Sequence, residues 1–216
     1  MNEPADDDPL EEWLRRGRFC VGEIAITHAA DGSFALCHRD DEACDDLVAH
    51  GSAEAAAEIV RYDDAGGYRP LKTAPTLRHG WRLFLSNAAA VREALDAFYP
   101  GRLAAYSAFC HGRLLATPLR ETLARQSGMY RAAAKISDEG VELLVADFCR
   151  SDGGCLRTIL WSRDAAGEPA SRALPLSKFD PEHDQIGMGD RAVPLLCQEA
   201  CNLLVAQARK VVKGGE

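Results

Sequence analysis

Hydrophobic and polar positions in the first part of the chain follow short strand-like runs that end at turn residues. Residues 19–27 are rich in strand formers, and Gly22 interrupts their alternation in the manner of a bulge. Asp31 and Gly32 predict a turn into a second strand, where Phe34 and Leu36 share one face with His38. The acidic run at residues 40–46 is typical of a solvated loop.

Two helices and a third strand follow this hairpin. Ser52 is placed to cap a helix through Ile59, residues 63–75 are a loop broken by glycine and proline, and residues 81–85 predict a short strand. Asn87 then caps a helix that carries apolar residues at i, i+4 and i+7 and ends at Pro100-Gly101. The pattern predicts a small β-β-α-β-α unit.

The second half reads as mainly helical. Helices are predicted over residues 103–110, from Thr117-Pro118 to Gly128, and from a Ser137 cap to residue 149. Residues 156–161 favour a strand, residues 168–191 form an irregular connection, and a last helix starts near Cys197. The fold class is therefore α+β: an acidic, disordered stretch at residues 1–14, a small mixed domain at 15–100 and a mainly helical domain at 101–213.

Composition and charge exclude several classes of protein. The 216 residues carry a formal net charge of −8, which disfavours nucleic-acid binding because phosphate recognition needs clustered Lys and Arg. No run of apolar residues is long enough to span a membrane. The first residues are polar and acidic, unlike a signal peptide, so we expect a cytoplasmic protein.

Eight cysteines are the main chemical signal, and four of them form two spaced pairs. Cys149 and Cys155 form a C-x5-C pair around two glycines that let the backbone wrap closely around a bulky group, while Cys197 and Cys201 form a C-x3-C pair at the predicted start of a helix. Two thiolates one helical turn apart face the same way, and unpaired N–H groups at a helix start stabilise thiolates. These spacings favour a 4Fe–4S cluster; a structural zinc ion and merely buried thiols are the alternatives.

Several segments resemble a known family. The sequences Pro118-Leu-Arg-Glu-Thr-Leu-Ala-Arg-Gln-Ser-Gly-Met-Tyr130, Phe148-Cys149, Cys155-Leu156 and Pro194-Leu-Leu-Cys-Gln-Glu-Ala-Cys-Asn-Leu-Leu-Val205 resemble the 4Fe–4S-binding domain at the C-terminus of some CbiX-type sirohydrochlorin cobaltochelatases. Upstream, Gly67-Tyr-Arg-Pro-Leu-Lys-Thr-Ala-Pro75 and Arg78-His-Gly-Trp-Arg82 resemble the stabilising domain that precedes it there. The resemblance covers about residues 15–212, and the chelatase domain itself has no counterpart here.

This resemblance implies cluster ligation by Cys149, Cys155, Cys197 and Cys201 and a link to cobalamin or sirohaem-type tetrapyrrole synthesis. Sulfite and nitrite reductases carry a similar C-x5-C and C-x3-C pattern, which we take as support for the cluster and not for sulfite chemistry. We expect a redox or electron-transfer accessory module, with a tetrapyrrole metallochelatase or a redox protein as partner. The alternatives are an enzyme that acts on a bound tetrapyrrole and a structural zinc module that mediates interactions.

Three other groups are weaker candidates. The remaining cysteines could form a second metal site, with Cys20 and Cys37 facing each other across the hairpin, although strand cysteines are usually core residues. Residues 180–184 place carboxylates beside His183, in what is more simply a solvated loop. A basic patch could bind tetrapyrrole carboxylates or face solvent, and further arginines flank the cysteine segments where they could donate hydrogen bonds to the cluster or dock a partner. The residues concerned are Cys20, Cys37, Cys44 and Cys110; Arg69, Lys72, Arg78 and Arg82; and Arg120, Arg125, Arg131, Arg150 and Arg157.

Overall fold

The computed structural model describes residues 9–29, 31–63, 65–68, 77–144, 158–162, 165–166, 192–193 and 195–214. The chain divides into two compact units. The first contains the described residues up to Ser107 together with residues 192–193, and the second contains the described residues from Ala108 onward apart from those two. The α+β class predicted from the sequence is confirmed, because sheet and helix occur together in the first unit and helices predominate in the second.

A mixed sheet forms the centre of the first unit. Its strands among the described residues are β1 (Phe19–Val21), β2 (Ile24–His28), β3 (Phe34–His38), β4 (Val48–His50), β5 (Trp81–Leu85) and β8 (Ala192–Val193). They follow the spatial order β4-β5-β3-β2-β1-β8, with β4 parallel to β5, β8 parallel to β1 and the other neighbours antiparallel.

The strand predicted at residues 19–27 is in fact two strands. Val21 pairs with Ile24 across a tight turn, and Gly22 sits in that turn with φ of 56° instead of forming a bulge. A positive φ is readily adopted by glycine, so this residue allows the chain to reverse direction. The turn at Asp31-Gly32 is confirmed, since the Asp31 carboxylate accepts a hydrogen bond from the Ser33 amide at 2.9 Å and Gly32 also has a positive φ.

Helices pack against this sheet. The predicted Asn87 cap is confirmed, because its Oδ1 atom accepts a hydrogen bond from the Ala90 amide at 3.0 Å, and the predicted apolar stripe of this helix is buried. A helix also occupies part of the stretch that we expected to be disordered, because Trp13 and Leu14 are buried there. The helices of this part of the chain are α1 (Pro9–Arg15), α2 (Ala55–Ile59), α3 (Ala88–Phe98) and α4 (Arg102–Cys110).

The acidic run at residues 40–46 was predicted to be a solvated loop, but one of its side chains is buried. Asp41 closes a short 3-10 turn (Arg39–Asp41) and is buried. Burial raises the pKa of its carboxyl. Hydrogen bonds from the Gly80 amide and from His79 lower the pKa by more than burial raises it, so the net shift is downward. Asp41 is therefore an ionised group inside the fold, held by residues nearly forty positions away.

The second unit contains an antiparallel strand pair and several short helices. Strand β6 (Leu114–Pro118) was missed by the sequence analysis, and it pairs with β7 (Thr158–Ser162), which lies where a strand was predicted. Ser137 caps a helix as predicted, since its hydroxyl accepts a hydrogen bond from the Gly140 amide at 3.1 Å. The helices are α5 (Leu119–Ala124), a 3-10 segment (Gly128–Lys135), α6 (Asp138–Leu144) and α7 (Asn202–Gly214).

Among the described residues, no helix has both the length and the apolar character that crossing a membrane requires.

Candidate metal centre

Cys201 stands directly before the first residue of helix α7. Its Sγ atom accepts a hydrogen bond from the Leu204 amide at 3.4 Å, and its carbonyl accepts the Val205 amide at 3.0 Å. The side chain therefore caps the helix in the way that a serine or aspartate usually does. The N–H donor and the positive end of the helix dipole both stabilise a thiolate at this position.

Cys197 lies in extended backbone and not on a helix. It forms a parallel bridge with Ile159 of β7, and its carbonyl accepts a hydrogen bond from the Leu160 amide at 2.8 Å. The prediction that the last helix starts near Cys197 is therefore wrong, because pairing with β7 satisfies the backbone there and the helix begins only after Cys201. The C-x3-C pair joins a strand edge to a helix start. Both cysteines are half-buried, and neither is in a disulfide.

Cys149 and Cys155, the other two predicted ligands, lie outside the described residues. The described elements on either side of them contact the elements of the C-x3-C pair. Helix α6, which precedes Cys149 in the chain, packs on α7, and β7, which follows Cys155, pairs with Cys197. The fold therefore brings the flanks of both cysteine pairs into one unit.

The described part of this site fits an iron–sulfur cluster. Thiolates are the ligands of such clusters, and hydrogen bonds to sulfur together with burial set their potentials. Cys201 offers a thiol with an N–H donor already placed on its sulfur, and Cys197 offers a second thiol four residues away. A 4Fe–4S cluster, when bound, supplies one-electron transfer. Cys197 and Cys201 would hold such a cluster, and the Leu204 amide would stabilise its negative charge.

The other cysteines do not form a second site in the described part of the chain. Cys20 and Cys37 do not face each other, because both pair with Ala25, which lies between them on β2. Burial raises the pKa of both thiols. Cys44 and Cys110 are exposed, and no set of three metal-ligating side chains among the described residues includes a cysteine.

Some of the arginines predicted to bind a ligand or flank the cluster make contacts with other residues of this chain. Arg82 donates a hydrogen bond to the Cys44 carbonyl at 3.0 Å, and Arg120 forms an ion pair with Asp138 at 3.0 Å. Arg125 approaches Glu121 within 3.7 Å, while Arg78 and Arg131 are exposed. Arg69, Lys72, Arg150, Arg157 and residues 180–184 lie outside the described residues.

Two known domain families match this chain, one in each half. Residues 111–210 match the 4Fe-4S iron-sulfur cluster binding domain, and residues 7–108 match the DR2241 stabilising domain. The resemblance predicted from the sequence is therefore confirmed for both halves. The first match supports iron–sulfur binding by the second half of the chain.

A solved structure is similar to this chain over nearly its whole length. The chain is similar to DR2241 from Deinococcus radiodurans, described as a multi-domain protein with structural similarity to chelatases and with two additional novel domains. The two share 28% identity with a TM-score of 0.56 over 96% of this chain. This chain spans only 41% of the length of DR2241. No curated protein matches the chain.

Proposed function

We propose that this chain binds one 4Fe–4S cluster through Cys149, Cys155, Cys197 and Cys201 and serves as an electron-transfer or redox accessory module. The observation that carries the proposal is the hydrogen bond from the Leu204 amide to Cys201 Sγ at the start of α7. A neutral buried thiol needs no such donor, whereas a cluster ligand carries negative charge that the donor and the helix dipole stabilise. The match of residues 111–210 to a cluster-binding domain supports the same conclusion.

We propose further that the module acts beside a tetrapyrrole metallochelatase. The support is the structural similarity of DR2241 to chelatases, together with the 41% of DR2241 that this chain spans. A reducing compartment such as the cytoplasm suits the free thiols of the described cysteines.

The test of cluster binding is anaerobic purification of the full chain, followed by iron, sulfide and zinc analysis and a visible absorption spectrum. We expect about four irons and about four sulfides per chain, with a broad visible band that dithionite bleaches. Serine at any of the four proposed ligands should remove or weaken the band. Cys44→Ser is the matched control, because Cys44 is an exposed thiol in the first unit. One zinc ion and no iron would instead establish a structural zinc site and overturn the redox function.

The tetrapyrrole link needs a separate test. The cluster-loaded chain is titrated with sirohydrochlorin and, in parallel, with a CbiX-type chelatase. Binding of the chelatase without binding of the tetrapyrrole supports an accessory role. Specific tetrapyrrole binding by this chain alone would favour an enzyme that works on the bound tetrapyrrole, and absence of both interactions would refute the link while leaving cluster binding intact.

A further inference from the structure

Two histidines and an aspartate meet in the first unit, far in sequence from the four proposed cluster ligands. His38 is the last residue of β3, Asp41 closes the following 3-10 turn, and His79 lies just before β5. One ligand atom from each residue lies within 4.8 Å of the other two, and the imidazole rings are 3.7 Å apart between centroids. From the sequence, His38 is predicted in a strand, Asp41 in a solvated loop and His79 in a segment of the family resemblance. Their meeting is not predicted, because 41 positions separate His38 from His79.

His38 carries a buried nitrogen that the described fold does not satisfy. The side chain is 1% exposed, and its Nε2 atom has no hydrogen-bond partner among the described residues. The Glu23 Oε1 atom is 3.9 Å from it, which is beyond hydrogen-bond range. An unsatisfied buried polar group destabilises the folded state, so a ligand that engages this nitrogen would remove that penalty.

The surroundings of the three residues are negatively charged. Asp41 and Glu23 are both buried. The Asp41 carboxylate accepts hydrogen bonds from the Gly80 amide at 2.8 Å and from His79 Nδ1 at 2.9 Å, and Glu23 Oε2 accepts the Leu77 amide at 2.7 Å. Two carboxylates held beside two imidazoles in the interior match the charge and the ligand atoms that a divalent cation requires.

We propose that His38, Asp41 and His79 bind a divalent transition-metal ion of the zinc class, with Glu23 as a nearby second carboxylate. Imidazole and carboxylate together favour zinc, iron(II) or cobalt(II) over magnesium and calcium, which prefer oxygen ligands alone. His79 Nδ1 and Asp41 Oδ1 are 2.9 Å apart and share a hydrogen bond, so an ion bound by both atoms would displace the proton between them.

Asp40 has a positioning role in this proposal. In the present structure His38 Nδ1 accepts the Asp40 amide at 3.2 Å, so the ring proton is on Nε2. Metal binding at Nε2 would move that proton to Nδ1 and break the hydrogen bond from the amide. The Asp40 carboxylate lies 3.7 Å from Nδ1 and would accept the proton after a small movement of the side chain. Metal-bound histidines commonly donate their second nitrogen to a carboxylate, which fixes the ring.

The proposed site is tested on the full, cluster-loaded chain by equilibrium dialysis with zinc, with iron and sulfide measured in parallel. We expect one zinc per chain beyond any zinc in the cysteine site. His79→Ala and Asp41→Asn should lose this ion, and Asp40→Asn should weaken its binding by about tenfold or more. The matched controls are the exposed residues His111→Ala and Asp45→Asn, which should retain it.

X-ray absorption at the zinc edge distinguishes this site from the thiols. Zinc in the proposed site has nitrogen and oxygen neighbours at about 2.0–2.1 Å and no sulfur at about 2.3 Å. His79 is the main variant because its side chain is 38% exposed, so its removal leaves no closed cavity. Circular dichroism should show that His79→Ala folds and that zinc raises the melting temperature of the wild type alone. A sulfur shell, equal zinc in wild type and His79→Ala, or no bound zinc would each overturn the proposal.

Discussion

The Leu204 amide points at the sulfur of Cys201, 3.4 Å away, in the first turn of helix α7. Neighbouring Leu203 occupies the same turn, but its amide is not bonded to that sulfur in any described contact. Of these two adjacent residues, only Leu204 therefore has a described N–H hydrogen bond to the sulfur of the proposed ligand. This difference allows the electrostatic contribution of a single amide to be measured.

Leu204→Pro removes that N–H group, and we expect it to lower the midpoint potential of the bound cluster. The donor stabilises the more negative, reduced form, and a preference of about 1 kcal/mol corresponds to about 40 mV for a one-electron couple. A redox titration measures the shift. Proline is tolerated in the first turn of a helix, so Leu203→Pro is the control, and Leu204→Ala retains the N–H while removing the buried side chain. Equal potentials for Leu204→Pro and Leu204→Ala would show that the amide has no influence.

Gly140→Ala should destabilise the second unit although alanine is the better helix former. A Cβ atom at this position would lie 2.8 Å from Ile136 Cγ1 and 3.4 Å from Val211 Cγ1, where α6 packs on α7. The gain in helix propensity is about 1 kcal/mol, and overpacking costs about 1–3 kcal/mol, so we expect a net loss of about 1 kcal/mol in the free energy of unfolding. Urea denaturation measures it.

Gly51→Ala is the control for this change, because nothing lies within 4 Å of its Cβ position. We expect it to change stability by less than about 0.5 kcal/mol. Should Gly140→Ala prove as stable as the wild type, the contact between α6 and α7 must be looser than the structure indicates.

Cys37 and Cys20 should react slowly with iodoacetamide in the native protein. Burial raises the pKa of both thiols, which lowers their thiolate fraction and limits access of the reagent. We expect labelling at least about tenfold slower than at exposed Cys44, as followed by mass spectrometry of quenched samples. Unfolding in urea should abolish the difference. Rapid native labelling of Cys37 would contradict its place in the sheet.

The ion pair between Arg18 and Glu42 should make stability depend on pH. The Arg18 hydrogen bond holds the pKa of Glu42 below its usual value, so the pair contributes stability above that value and loses it as the pH falls through the folded pKa. We expect Glu42→Gln to cost up to about 1 kcal/mol at pH 7, because the pair is partly exposed, and less as the pH falls below about 4. Urea unfolding at several pH values tests this against exposed Glu93→Gln, and a loss independent of pH would argue against the pair.

The sequence by itself determined several local elements and predicted the iron–sulfur domain that residues 111–210 match. Asn87 and Ser137 predict helix starts, and Asp31-Gly32 predicts a turn. The paired cysteines predict an iron–sulfur domain. Each of these signals depends on residues a few positions apart. Strand β7 and the apolar stripe of α3 follow from the same local periodicity.

Only the tertiary structure decided which distant residues meet. Cys197 is extended because β7 pairs with it, and Asp41 is buried because the Gly80 amide and His79 reach its carboxylate. The meeting of His38 with His79 depends on the pairing of β3 with β5, whose register places Cys37 opposite Arg82. Such pairing is set by packing of the whole sheet and cannot be predicted from the spacing of residues along the chain.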